Sequence, residues 1–198
     1  MARRLRGPSP GFTILELLFV LAIAGTLTTI AVPQGLRALD DFRTRAAARY
    51  LAQRLGDARL SAIKRSLAHG LRFEAAVPDY RFSTVMDGNA NGLRTADIQR
   101  GVDRTLTQPE LLAWHFRDVA FGILDGVPDA DGQPANGSDG VRVGASKLLT
   151  LNPDGTSSSG TLYLHGRERS QYAVRVLGVT GRVRVLKYDP VRRRWIDQ

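Results

Sequence analysis

The stretch FTILELLFVLAIAGTLTTIAV, residues 12–32, carries a single charge, Glu16. As an α-helix it would be about 30 Å long, the thickness of a bilayer's hydrocarbon core. Such a run consumes sequence that cannot build a water-facing surface. The rest of the 198-residue chain therefore has room for one compact domain of ordinary size. Arg3, Arg4 and Arg6 lie immediately before the run. Since Lys and Arg stay on the cytoplasmic side, the expected orientation keeps the N-terminus inside and exports residues after about position 33. A cleaved signal peptide is the rival reading. Its apolar core is shorter, roughly 7–15 residues, and ends at a small-residue cleavage site, whereas this run continues into a helical pattern. Glu16 is the anomaly, because an ionised side chain at the centre of a spanning helix costs roughly 3 kcal/mol by insertion scales.

The helical pattern resumes beyond Pro33, where the missing backbone donor predicts a bend. Leu36, Leu39, Phe42, Ala46, Tyr50, Leu51, Leu55, Ala58 and Ala62 recur at steps mostly of three or four, the period of an amphipathic helix. Arg37, Asp40, Asp41, Arg43, Arg45, Arg49 and Arg54 occupy the other side and read as a solvated face. The helix is expected to end near Gly70, a C-cap residue type. Beyond it the signal changes to strands and turns. LRFEAAV and YRFSTVM flank Pro78 and Asp79 as a hairpin, and LLTLN, TLYLHG, YAVRVLGV and RVRVLKY follow between Gly, Asn, Asp and Ser clusters. Residues 125–140, DGVPDADGQPANGSDG, read as an exposed loop with almost nothing to place in a core. Asn136 to Ser138 matches a glycosylation acceptor, which is read as chance.

Charge narrows the function. Of the net +9, three units sit in the leader, and residues 165–198 hold nine Lys or Arg against three carboxylates. Residues 7–164 are balanced, so the basicity belongs to the two ends. The chain has no cysteine, which removes disulfide and thiol chemistry.

MARRLRGPSPGFTILELL resembles the class III leader of type IV pilins and type II secretion pseudopilins. A short basic leader, Gly11, Phe12, an apolar run and Glu16 at the fifth position after the glycine all occur in register. Pro33 also falls where many members have a helix-bending proline. LLTLNPDGTSSSGTLYLHGRERSQYAVRVLGVTGRVRVLKYD, residues 148–189, is similar to the strand repeat of the GspH/FimT pseudopilin family, although the chain lacks the cysteines that many FimT-like members pair near the C-terminus. The resemblance implies a pilin-like α+β fold, with one long N-terminal helix, membrane-spanning in its first half and packed on an antiparallel β-sheet domain in its second. It implies four segments: a leader to residue 11, a transmembrane helix over 12–32, an exported amphipathic half over 33–69 and a β-rich domain over 70–198. It further implies cleavage by a prepilin peptidase between Gly11 and Phe12, N-methylation of Phe12, and an assembly role for Glu16, which would pair with the Phe12 amine of a neighbouring subunit. The implied setting is the bacterial inner membrane, with the domain in the periplasm and other pseudopilins as partners in a filament for protein secretion.

No catalytic constellation stands out. His69, His115 and His165 are isolated in sequence, and no metal-protease, phosphate-loop or dinucleotide motif occurs. Gly155 to Gly160, GTSSSG, misses the nucleophile-elbow spacing by one residue and reads as a turn. Two weaker candidates remain. Asp87, Asn89 and Asn91, followed by Gly92 and Asp97, match the first half of a calcium loop, but Ile98 stands where the closing Glu belongs. The alternative is an Asn/Gly turn stabilised by its own side chains. Arg182 and Arg184 alternate on one strand face, with Lys187, Arg192, Arg193 and Arg194 behind them and Trp195 next, a pattern that can bind phosphates and stack on a base. In FimT-like minor pilins a terminal Gly-Arg-x-Arg resembling residues 181–184 goes with DNA binding for uptake. The alternatives are solvated arginines or contacts to acidic filament neighbours.

Overall fold

The computed structural model describes residues 11–198, and the leader arginines lie outside them. In chain order the elements are α1 (Ile14–Arg65), β1 (His69–Ala76), β2 (Asp79–Met86), α2 (Thr95–Gln99), β3 (Arg104–Thr105), β4 (Glu110–Leu111), β5 (Ala120–Phe121), β6 (Val141–Arg142), β7 (Leu148–Leu151), β8 (Gly160–His165), β9 (Gln171–Leu177), β10 (Arg182–Asp189) and β11 (Arg194–Asp197). A long apolar N-terminal helix followed by antiparallel sheets makes this an α+β protein. The chain divides into two compact units, one ending at Ala38 and the other Leu39–Gln198.

Among its described residues the first unit is helix from Ile14 onward. Thr13 starts it by accepting the Glu16 N–H on its hydroxyl at 3.2 Å, so Thr13 and Glu16 stand as the N-cap and N3 positions of a Thr-x-x-Glu start. The segment is long and apolar enough to cross a membrane, and none of it is buried against the rest of the chain. Its few hydroxyls are satisfied internally: Thr26, Thr28 and Thr29 donate to the carbonyls of Ala22, Ala24 and Gly25 at 2.9, 2.7 and 2.9 Å. A helix that closes its own polar groups is compatible with hydrocarbon.

In the second unit α1 turns a narrow face of Thr44, Ala47, Ala48, Leu51, Leu55, Ala58 and Ala62 inward. The small residues let backbones approach, while Leu51 and Leu55 are each fully buried, worth about 2 kcal/mol apiece. They share one core with Leu71 and Phe73 of β1 and with Leu162, Leu164, Val174 and Val176 of β8 and β9. Two antiparallel sheets supply these residues, one ordered β3-β2-β1-β7 with β4 also on β2, the other β11-β10-β9-β8-β5 with β6 also on β8. The β1–β2 register forms the expected hairpin but pairs Ala76 with Asp79, so the connection is Val77 and Pro78, one residue earlier than Pro78 and Asp79.

The structure departs from the sequence reading in three further places. Helix α1 stops at Arg65, because Ser66 takes a left-handed φ of 54°. Gly70 instead lies inside β1, where the Leu149 carbonyl occupies the space a Cβ would need. The expected apolar stripe also begins late. Phe42 is 70% exposed, while Asp40 lies on the buried side, with its carboxylate accepting the Ser170 N–H at 3.2 Å. Finally, residues 125–140 are not a free loop. Val127, with Ala130 and Ala135 beside it, packs on Tyr163, Ala173, Leu186, Tyr188 and Trp195, covering the sheet face opposite α1. The other sheet is covered similarly, where Leu93 and Ile98 pack on Val85 and Leu148.

Candidate functional site

The N-terminal candidates lie together at the start of α1. Gly11 and Phe12 precede the helix, Phe12 is 83% exposed, and Glu16 falls in the first helical turn. A negative charge there faces the positive end of the helix dipole, so its position has a local benefit in addition to any partner. Among the described residues, a Cβ added at Gly11 would meet nothing within 4 Å. Packing among the described residues therefore does not ask for a glycine at this position.

The calcium-like loop is held by its own carboxylates. Asp87, 2% exposed, accepts the N–H groups of Asn89 and Ala90 on Oδ1 at 3.0 and 2.9 Å and that of Gly92 on Oδ2 at 2.7 Å. Asn89 Oδ1 accepts the Asn91 N–H at 3.3 Å. Asp97 bonds Arg100 on Oδ1 and accepts Asn91 Nδ2–H on Oδ2 at 3.2 Å, and these two partners hold its carboxyl below the usual range. The residue that sequence reasoning missed is Asp103, which reaches back to accept the N–H groups of Gly88 and Arg94 at 3.1 and 3.0 Å. Among the described residues no group of three or more His, Asp or Glu side chains is placed to hold a metal ion.

The C-terminal cations are scattered among partners. On β10, Arg184 donates to Asp197 Oδ2 through Nε at 3.0 Å and Nη2 at 2.7 Å, and Lys187 reaches Asp41 at 2.6 Å. Arg192 pairs with Asp189 at 3.5 Å, and the Asp189 carboxyl is held low, chiefly by the backbone N–H of Arg192. Arg182, Arg193 and Arg194 are exposed and in no ion pair among the described residues. Register adds Arg175, directly opposite Arg184 on β9 and paired with Asp131 at 2.7 Å. Trp195 is engaged inside the protein: its indole N–H donates to the carbonyls of Pro128 and Asp129 at 3.1 and 2.9 Å, and its ring packs on Tyr163 and Tyr188. The ring is thus partly committed to the protein's own packing.

One cluster had no sequence signal, since its members come from α1, β4 and the turn after β4. Tyr50 donates to Glu110 at 3.1 Å, Arg54 donates to Tyr50 at 2.8 Å and to Glu110 at 2.9 Å, and His115 Nε2 lies 2.7 Å from the same carboxylate. Burial pushes the Tyr50 hydroxyl above its ordinary value, opposed by its bond from Arg54. Glu110 is engaged by three side chains, so the cluster joins α1 to the β4 strand and leaves no unengaged acid or base.

No family model matches the chain, and neither a curated protein nor a solved structure matches it.

Proposed function

We propose that the protein is a minor pseudopilin, a structural subunit of a type II secretion pseudopilus that takes part in protein secretion across the outer membrane. The reading is carried by one observation: an apolar helix that no described residue covers begins beside a glycine that no described contact requires. Both features call for something outside the chain. Lipid, and later the equivalent helices of other subunits, would cover the apolar surface. A prepilin peptidase that tolerates no side chain at the scissile position would require Gly11. The pilin-like layout is then one helix with two tasks, inner-membrane storage through residues 12–32 and support of a periplasmic β domain beyond Leu39. Glu16 is the group left to answer the Phe12 amine of a neighbour, because intramembrane charges persist by pairing.

Co-expression with a prepilin peptidase tests this. The expected product begins at Phe12 with a methylated amine by intact mass, and Glu16→Ala inserts normally but is depleted from sheared filaments. An uncut N-terminus, or a cut after residue 32, would sink the reading. The alternative, a FimT-like minor pilin that binds DNA, draws less from the geometry, because Arg184, Lys187 and Arg192 already have carboxylate partners.

A further inference from the structure

Two turns of the second unit lie at one end of it. Lys187, near the end of β10, contacts Asp41, whereas Gly181, just before β10, packs against Arg59. Strand β10 therefore runs back along α1 toward residue 41, and the β10–β11 turn projects beyond that level. The β8–β9 turn lies at the same end, because Asp40 accepts the Ser170 N–H there.

These turns carry a strong charge. Arg167 and Arg169 in one, and Arg193 and Arg194 at the other, are exposed, with Arg192 held by Asp189 and Glu168 the only exposed carboxylate among the turn residues. Val191 stands beside the arginines, 90% exposed. The β9–β10 turn at the other end, Gly178, Val179, Thr180 and Gly181, has no charge at all. Arg169 and Arg193 also hold left-handed φ angles of 72° and 50°, positions where Gly or Asn sits at less cost.

The same end is tethered to the apolar run. Nine residue steps lead from Val32 to Asp41, about 14 Å at helical rise and no more than about 32 Å at full extension. We propose that the β8–β9 and β10–β11 turns form a docking surface for a bilayer rich in anionic phospholipid headgroups, with the arginines on the phosphates and Val191 inserted between them. This rests on the membrane-anchored reading above and adds to it a second contact, made by the folded domain. Cationic side chains close to a charged bilayer gain from its surface potential, and the gain fades within a Debye length.

The absence of cysteine allows a clean test on the full chain. Val191→Cys and Val179→Cys each give one labelling position, at valines 90% and 89% exposed. Each labelled protein is reconstituted in vesicles containing a headgroup nitroxide lipid, either phosphatidylcholine alone or with phosphatidylglycerol. With phosphatidylglycerol the label at 191 is expected to be quenched about twofold more than that at 179, and the difference to vanish in phosphatidylcholine, in high salt and on Arg193→Ala with Arg194→Ala. Equal quenching at the two positions, or quenching indifferent to lipid charge, would overturn the proposal. So would an emission change at 191 produced by duplex DNA when the vesicles produce none, which would assign the arginines to nucleic acid. Alkaline extraction separates the two levels. Protein that stays in the bilayer without quenching at 191 removes only the docking surface, and protein released from the bilayer removes the anchor together with it.

Discussion

The carboxylate of Asp40 occupies the space that a side chain at Gly166 would need, and it accepts the Ser170 N–H from the same turn at 3.2 Å. A buried acid on the helix and a bare backbone in the β8–β9 turn are thus fitted to each other, which explains why the apolar stripe of α1 is interrupted at its start.

Gly166→Ala should push the turn off the helix and cost about 1–3 kcal/mol of stability, the range for overpacking a close contact. Denaturant melts of single and double variants check it. The loss is expected to shrink when Asp40→Ala is also present, because the obstructing carboxylate has gone.

The two tryptophans should report opposite environments. Trp114 is 65% exposed, while Trp195 is held between Tyr163, Tyr188 and the carbonyls of Pro128 and Asp129. Acrylamide quenching of Trp114→Phe should reveal a shielded emitter, and Trp195→Ala should lower stability by about 2 kcal/mol. Quenching of Trp195 at the rate of a free indole would contradict the packing.

Asp87→Ala removes the acceptor of three loop N–H groups and should cost about 1–3 kcal/mol. Limited proteolysis should then cut within residues 88–92. Calcium would have to displace these bonds, so titration calorimetry at millimolar calcium is expected to give no heat and no melting shift.

Asp79 supplies a pH signature. Burial pushes its carboxyl above the ordinary value, against backbone bonds from Tyr80 and Phe121. An acid whose folded pKa is raised binds its proton more tightly in the native state. Its contribution is therefore greatest below the unfolded value and is lost as pH rises through the raised one. Asp79→Asn keeps an acceptor for the Phe121 N–H, so melting temperatures of wild type and variant from pH 3 to 7 should show the wild type falling relative to the variant. A constant difference would contradict the burial.

The strands after residue 148 are legible because each alternates and is bracketed by turn residues, and the apolar helix is legible because its length and lack of charge admit few alternatives. The cover over residues 125–140 is not, since Val127, Ala130 and Ala135 look sparse until Trp195, more than fifty residues away, supplies the other half of their contact. Asp103 escaped for the same reason: a local motif search stops at Asp97, whereas the loop is closed from outside the motif. Glu16 has a plainer signal, the Thr-x-x-Glu spacing, which identifies a helix start within the leader-like pattern. The ion pairs of Arg184 and Lys187 depend on Asp197 and Asp41 and cannot be read from the alternation of β10 alone.

The loop latched over the outer sheet face also defines where foreign sequence can be carried. Its tip closes on itself: Asp129 Oδ1 accepts the N–H groups of Asp131 and Gln133 at 2.9 Å each, and Gly132 stands exposed in a left-handed turn. An epitope inserted beside Gly132 would leave Val127 seated and the tryptophan covered, whereas a tag that pulls on the last strand would loosen Trp195 from beneath the loop. The interior tip, not the C-terminus, is the handle by which this domain can be followed in the cell.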